Sequence, residues 1–438
     1  MGVSIENTAG RSPVRAIELR VLERLRGAQL DADATTTDTI RRFIDDEIEQ
    51  WTFDVDRGRE QVPIADEPRV RRAVEDNLLR YGPLDPLIDD PDVWEIMINA
   101  PDQVFVRRHR GVSGYHHATF HDDDHVSRTL TKILDDATEA QRKLDPAEGL
   151  QDAQLANGAR LHIVHRDVGR GGHHLVNIRK FTGVGFVALD DLVAVGMLTS
   201  EASAFLRAAA RARLSIVIAG RPGAGKTTLL SCCAAALDPS LRIVTAEEVF
   251  EIDVPLPNVA SMQTRPPRSD RAAVDLRRLV AGFLRMAPDV AIVGEVRDRE
   301  ALPLLLTLSS GVTGYTTIHA ASARQALARL RFIAQLADTR SELPAAALNA
   351  LVSDSVDLVV FADRIAGVPQ VMEILAVEDR QTQEQSMQFT ATDVFRRDPE
   401  SGVLAWTGDV PIRAARAFSA AGIDVAELLR AEGSVGYA

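Results

Sequence analysis

The sequence predicts an α/β protein in which a domain built on a parallel sheet follows a small mixed α/β domain and an N-terminal helical region. Three observations carry this. Apolar runs at residues 214–219, 241–246 and 290–293 are each flanked by helical or loop sequence, the order of a parallel sheet covered by helices. Shorter runs at 94–99 and 104–107 alternate apolar and polar residues, as strands with one buried face do. The first ninety or so residues instead carry apolar positions at helical spacing.

Taken in order, Ile17, Val21 and Leu25 recur every four residues, and Ile40, Phe43, Ile44, Ile48 and Trp51 mark one helical face. Val70, Val74, Leu78 and Tyr81 repeat the pattern before the stop signal Gly82-Pro83. The Thr/Asp-rich stretch 31–38 reads as a connector. After the strands of the next segment, a helix is expected over 125–134, and two further strands over 160–164 and 175–181 flank the turn 169–172. Beyond Gly183-Val184-Gly185 the chain becomes rich in Leu, Ala and Val, which places the main boundary near 185. The expected domains are therefore 1–92, 93–185 and 186–438, the last ending in a helical region.

At 438 residues the chain exceeds one compact core, and its 45% hydrophobic and 26% charged content excludes a disordered, collagen-like or disulfide-scaffold protein. Fifty Lys and Arg against 63 Asp and Glu give a net charge of −13, which disfavours a general nucleic-acid coat. No run approaches the roughly 18 apolar residues of a membrane span, and the N-terminus lacks the apolar core of a signal peptide, so a cytoplasmic protein is expected. The cysteines are the neighbours Cys232 and Cys233, which read as reduced and buried.

The strongest motif is Gly220-Arg221-Pro222-Gly223-Ala224-Gly225-Lys226-Thr227, followed by Thr228, with a strand entering it and a helix leaving it. This is the full Walker A spacing. Backbone N–H groups of such a loop cradle phosphate oxygens, Lys226 would neutralise the β- and γ-phosphates, and the Thr227 hydroxyl would complete a Mg²⁺ shell. ATP and Mg²⁺ are the expected ligands. The apolar run 290–293 ends in Gly294-Glu295, where a carboxylate reaches such a metal shell from a strand end; alternatively Glu295 is a solvated acid in a turn. Between these elements, the run 242–246 ends in Glu247 and Glu248, with Glu251 in support. Glu247 is the candidate for orienting an attacking water, with Glu248 beside the metal, unless all three are exposed loop acids. A fourth run, Gly314-Tyr315-Thr316-Thr317-Ile318-His319, carries one histidine that either senses a γ-phosphate or is a satisfied structural residue. His116, His117, His121 and His125 with residues 122–124 have metal-like density, but they read as a strand-to-helix connection with Asp122 or Asp123 as N-cap.

These four elements, in this order, resemble the ATPases of type II and type IV secretion and pilus assembly, and most closely the CpaF/TadA branch that drives tight-adherence (Flp) pili. The resemblance runs from about residue 80 onward. It includes Gly82-Pro83-Leu84-Asp85-Pro86-Leu87, Glu95-Ile96-Met97-Ile98-Asn99, Asn157-Gly158-Ala159-Arg160, Ile178-Arg179-Lys180-Phe181, Thr264-Arg265-Pro266-Pro267 and the run 284–298. It implies a RecA-like P-loop NTPase motor domain, a preceding PAS-like α/β domain and a homo-hexameric ring. The ring would lie at the inner face of the cytoplasmic membrane, held peripherally through a polytopic platform protein; the acidic total and the lack of an aromatic and basic strip argue against direct nucleic-acid contact. It further implies that Glu247 and Glu248 form an aspartate box, Glu295 a Walker B acid and His319 a histidine box. Arg160 and Arg179, strand-surface residues on their own reading, would reach the phosphates from the N-terminal domain.

The sequence departs from that pattern at Glu248, where the branch carries Asp, at Asp298-Arg299, where it carries Gly-Gly, and at Val312 and Ala321 around the histidine box. The zinc-binding CxxC pairs of some relatives are absent. The leading expectation is an Mg²⁺-dependent ATPase driving pilus assembly or protein secretion. A nucleic-acid translocase or conjugative DNA-transfer ATPase is the alternative, and a nucleotide-gated scaffold without turnover is a third.

Overall fold

The computed structural model describes residues 12–28, 34–108, 111–136, 144–155, 157–180, 186–265, 272–337, 343–378 and 388–433. The linker 183–185, Phe181 and the Pro266-Pro267 pair lie outside the described residues. The chain divides into two units, Met1–Val184 and Gly185–Ala438.

The first unit opens with α1 (Pro13–Ala28), α2 (Ala34–Asp56) and α3 (Glu67–Leu79). Their apolar residues recur every three or four positions, so Ile17, Val21, Ile40, Ile44, Ile48, Trp51 and Val74 meet in one core. The Trp51 indole N–H donates to the Val62 carbonyl at 2.9 Å, which satisfies the one polar group that this ring buries. Because α2 begins at Ala34, residues 34–38 of the expected connector are helical. Packing of the Ile40–Ile44 face outweighs the weak helix propensity of Thr and Asp there.

A short α4 (Asp85–Asp89) leads into β1 (Val93–Ala100), β2 (Gln103–Arg108), β3 (Gly114–Tyr115), α5 (Asp123–Asp136), β4 (Leu150–Gln154), β5 (Arg160–Val164) and β6 (Leu175–Arg179). The strands form one antiparallel sheet in the order β3-β2-β1-β6-β5-β4. Val126, Leu130, Ile133 and Leu134 of α5 share a core with Ile96, Ile98, Val104, Leu161, Ile163, Val176 and Ile178 of the sheet. Asp122 is the N-cap, accepting from the His125 backbone N–H at 2.8 Å. The edge strands β3 and β4 have no apolar alternation to announce them; pairing with β2 and β5 makes them strands.

The second unit contains α6 (Leu189–Ala194), α7 (Ser200–Arg211), β7 (Ile216–Gly220), α8 (Lys226–Ala235), β8 (Ile243–Glu247), β9 (Val259–Gln263), α9 (Leu276–Ala281), β10 (Val290–Val293), α10 (Ala301–Ser309), β11 (Thr313–Ile318), α11 (Ala323–Ala337) and α12 (Ala345–Ser355). It continues with β12 (Leu358–Ile365), β13 (Val368–Val377), β14 (Ala391–Arg397), β15 (Leu404–Trp406), α13 (Ile412–Ala420) and α14 (Val425–Gly433). Its nine-stranded sheet has the order β15-β14-β13-β12-β7-β11-β10-β8-β9. Strands β12 through β9 along that order are parallel, and β13 to β15 extend the sheet antiparallel from β12.

The α/β class holds, with a mixed sheet where sequence reading expected a parallel one. Alternate residues of the central strands enter opposite cores. Ile216, Ile218, Ile243, Ile292 and Val360 pack with α7, α8, α13 and α14, whereas Val217, Ala219, Val244, Val293 and Val359 pack with α9 to α12. A strand buried on both faces must read as an unbroken apolar run, which is why β7, β8 and β10 are legible in the sequence. Cys232 and Cys233 are free and buried in α8, and burial pushes the Cys232 thiol up to about 12.

Candidate functional site

The four motif segments sit at the C-terminal edge of the parallel strands. Ala219 pairs with Ile318, Val293 with Thr316, and Ala246 with Val293, so Gly220, His319, Glu295 and Glu247 emerge side by side. Strand β11 lies between β7 and β10, and it carries His319 into the space between the phosphate loop and Glu295.

The 220–228 loop wraps into α8 as a Walker A segment should. Gly225 is its N-cap, in the left-handed region at φ +79°, which a side chain would strain. A Cβ on Gly220 would strike the Ala362 carbonyl of β12. Lys226 is buried, and its ammonium donates to the Arg221 carbonyl at 3.2 Å while standing 3.3 Å from His319 Nδ1. The same Nδ1 lies 3.2 Å from the Gly220 carbonyl, and Nε2 lies 2.8 Å from Glu295 Oε1. That last contact is close but lacks the alignment of a hydrogen bond.

Glu295 Oε2 accepts from Arg297 at 2.6 Å, and the other arm of the same guanidinium reaches Glu248 Oε2 at 3.2 Å. One chain of polar contacts thus runs from Lys226 through His319, Glu295 and Arg297 to Glu248. Burial raises the Glu295 pKa, but the Arg297 hydrogen bond and the charges of Arg297, His319 and Lys226 outweigh it, and the carboxyl is held below its usual range. His319 moves down from 6.5, first through burial and then through Lys226, against the pull of Glu295. At neutral pH the site therefore holds an ionised Glu295 beside a neutral imidazole.

The acids of the 247–251 turn occupy different places. Glu247 is buried, and its Oε1 accepts from the backbone N–H groups of Glu251 and Ile252, both at 2.9 Å, so it anchors the turn that carries the other two. Glu248 points to Arg297. Glu251 faces the phosphate loop: its Oε2 accepts from the Thr227 hydroxyl at 3.4 Å. The sequence reading placed Glu248 beside Thr227, and the structure brings Glu251 there instead. A hydroxyl and a carboxylate are hard oxygen donors of the kind Mg²⁺ takes, so this donor set fits that ion. Arg297 was not anticipated as the bridge, although its place two residues after Glu295 was the available signal.

In the first unit Arg160 and Arg179 are cross-strand neighbours on β5 and β6, and Glu95 of β1 pairs with Arg179 from the other side. Two cations opposite each other repel, and the Glu95 carboxylate on the neighbouring strand lies beside this pair. The histidine-rich connection also acquires a partner that sequence did not reveal. Glu18 of α1, His121 and His125 bring ligand-type atoms within 4.8 Å of one another. His125 Nδ1 accepts from the His121 N–H at 3.3 Å, which leaves the proton of the neutral ring on Nε2, and Glu18 is engaged by Arg128 and Asn77. Glu18 is thus committed to other partners, whereas His125 Nε2 is buried without a hydrogen-bond partner among the described residues.

A phosphate loop at the edge of a parallel sheet, with a buried lysine and an ionised strand-end glutamate, defines a P-loop nucleotide hydrolase. The family model described as Type II/IV secretion system protein matches residues 77–394, and the chain belongs to that family. It is an ATP-hydrolysing enzyme of the secretion type. It is 31% identical over 307 residues to the type IV secretion system protein PtlH of Bordetella pertussis, covering 65% of this chain and 89% of that protein. It is 30% identical over 316 residues to the conjugal transfer protein TrbB of Rhizobium radiobacter, covering 71% of this chain and 91% of that protein. Among solved structures, the VirB11 ATPase of the Brucella suis type IV secretion system is 26% identical, with a TM-score of 0.36, covering 67% of this chain and 94% of that one. Among the described residues, no helix is long and apolar enough to cross a membrane.

Proposed function

We propose that this chain is a hexameric, Mg²⁺-dependent motor ATPase that couples ATP hydrolysis to pilus assembly or protein secretion, in the manner of the CpaF/TadA branch. In this reading it works at the inner face of the cytoplasmic membrane through a polytopic platform protein. The observation that carries the reading is the continuous chain Lys226–His319–Glu295–Arg297–Glu248 beside the phosphate loop.

Residues 220–228 bind the phosphates, with Lys226 as their counter-charge. Thr227 and Glu251 would hold Mg²⁺, with Glu295 and Glu248 as the further acids of the site; bound there, the ion would offset the negative charge of the phosphates. Glu247 orients water, by its own oxygen or through the turn that it anchors. His319 links Lys226 to Glu295. Arg160 and Arg179 supply positive charge for the γ-phosphoryl group. In this reading 1–92 is a helical arm, 93–185 a PAS-like α/β domain and 186–438 the RecA-like ATPase domain with its C-terminal helical region.

Release of phosphate from Mg²⁺-ATP by the purified chain tests this, with Glu295→Gln expected to bind ATP and release none. The second reading, conjugative DNA transfer, draws on the name of the Rhizobium radiobacter relative. The net charge of −13 weighs against direct DNA contact. Strong stimulation of hydrolysis by DNA, lost at higher salt, would reverse the order.

A further inference from the structure

The phosphate loop does not stand alone: it leans along its length on the β12–β13 hairpin. Strand β12 runs parallel to β7 with Ala362 opposite Gly220, where only a glycine lets the two backbones approach. One residue on, Arg221 pairs with Asp363 at 3.7 Å. Next, Arg364 Nη1 donates to the Gly223 carbonyl at 2.8 Å. At the loop's end, a Cβ on Gly225 would rest 3.4 Å from Pro369 of β13. Four positions of the loop, 220, 221, 223 and 225, thus lie against four hairpin residues.

The hairpin is built to hold Arg364 still. Ile365 pairs with Val368 across a two-residue turn, Ala366-Gly367, with φ of +49° and +84°. This double left-handed turn matches the twist of the strands that it joins. The second arm of the Arg364 guanidinium donates to the Gly367 carbonyl, so one planar group is fixed between the hairpin turn and the phosphate loop.

We propose that Arg364 is a positioning residue for nucleotide binding, holding the Gly223 carbonyl from outside the phosphate loop while the Ala224 N–H of the same peptide donates to the Arg221 carbonyl at 3.2 Å, so that the loop keeps its curled shape before phosphate arrives. This rests on the reading of residues 220–228 as the nucleotide site. A flexible glycine loop pays an ordering cost when phosphate arrives, and a charged donor that fixes one of its carbonyls beforehand removes part of that cost. The effect belongs to binding. Arg364 has no part in the Lys226–His319–Glu295 chain, so turnover at saturation is not its province.

The test uses the full chain, with ATP and ADP dissociation constants and steady-state phosphate release as readouts. Arg364→Ala is expected to raise both dissociation constants and KM about tenfold or more, the loss of one charge-assisted hydrogen bond, while kcat stays within about threefold. Arg364→Lys should recover part of the affinity, since it keeps one donor without the fork. Arg396→Ala, which removes an exposed arginine of β14 paired with Asp393, should change neither. Wild-type ATP and ADP affinity in Arg364→Ala would overturn the inference while leaving the nucleotide site standing, and so would a loss confined to kcat. A wild-type chain that binds no ATP would instead overturn the reading of the site itself. If Arg364→Ala lowers the melting temperature, the comparison moves to Arg364→Gln and Arg364→Lys at a temperature where both are folded. Equal affinity of those two with wild type also overturns the inference.

Discussion

His319 Nε2 stands 2.8 Å from the Glu295 carboxylate while Nδ1 of the same ring stands 3.3 Å from the Lys226 ammonium. A residue that reads as an ordinary strand histidine is therefore the link between the phosphate-binding lysine and the strand-end acid. Replacing it with Gln keeps the volume and breaks the two-sided link. The expected result is a fall in kcat of about tenfold or more with ATP affinity changed far less. Phosphate-release assays beside nucleotide titrations check it, and an unchanged kcat removes His319 from the machinery.

The pH profile follows from the same ring. Burial and Lys226 lower its pKa from 6.5, so it is neutral at pH 7 and gains a proton only on acidification below 6.5. Protonation then places a second cation against Lys226. Turnover should be insensitive to this ring above pH 6.5 and should decline below it, and His319→Gln should flatten that acid limb.

Glu247 separates a structural role from a chemical one. Glu247→Gln keeps an oxygen to accept the Glu251 and Ile252 N–H groups, so melting should stay near wild type while hydrolysis stops. Glu247→Ala leaves two N–H groups without that acceptor and should cost about 2–4 kcal/mol as well. Normal phosphate release by Glu247→Gln would reduce the residue to an anchor of its turn.

The first unit should be acid-sensitive through Glu18. Burial raises its pKa, but the His121 hydrogen bond and the charges of His125, His121 and Arg128 bring it down from 4.5 to about 2. A depressed carboxyl contributes stability above its unfolded pKa, and that stability drains away as pH falls through 4.5 toward 2. His125, pushed by burial from 6.5 to about 4, loses stability over pH 6.5 to 4, so the two act in the same direction. Denaturant melts of the chain should weaken steadily below pH 6.5, and Glu18→Gln should remove the lower part of that slope.

Much of the site was legible because its chemistry needs particular residues at fixed spacing. Gly220, Gly223, Gly225, Lys226 and Thr227 can be read directly, since the glycines serve local backbone conformation and close approach, and the lysine opens α8. Glu295 and His319 were legible as strand ends. Their contact was not, because β11 enters the sheet between β7 and β10 out of chain order. The choice between Glu248 and Glu251 at Thr227 was hidden for a related reason: the turn is shaped by Glu247 bonding its own backbone, and nothing in residue type tells three glutamates apart.

By itself, the sequence determined the α/β class, the two-sided burial of the central strands, the phosphate loop and the family. Each depends on local periodicity or on a motif whose residues are neighbours in the chain. Only the tertiary structure decided that Arg297 joins Glu295 to Glu248, that Glu18 completes the histidine cluster, and that Arg364 holds Gly223 from 141 residues away. These are contacts between side chains distant in sequence, and strand order and register, not residue identity, bring such groups together.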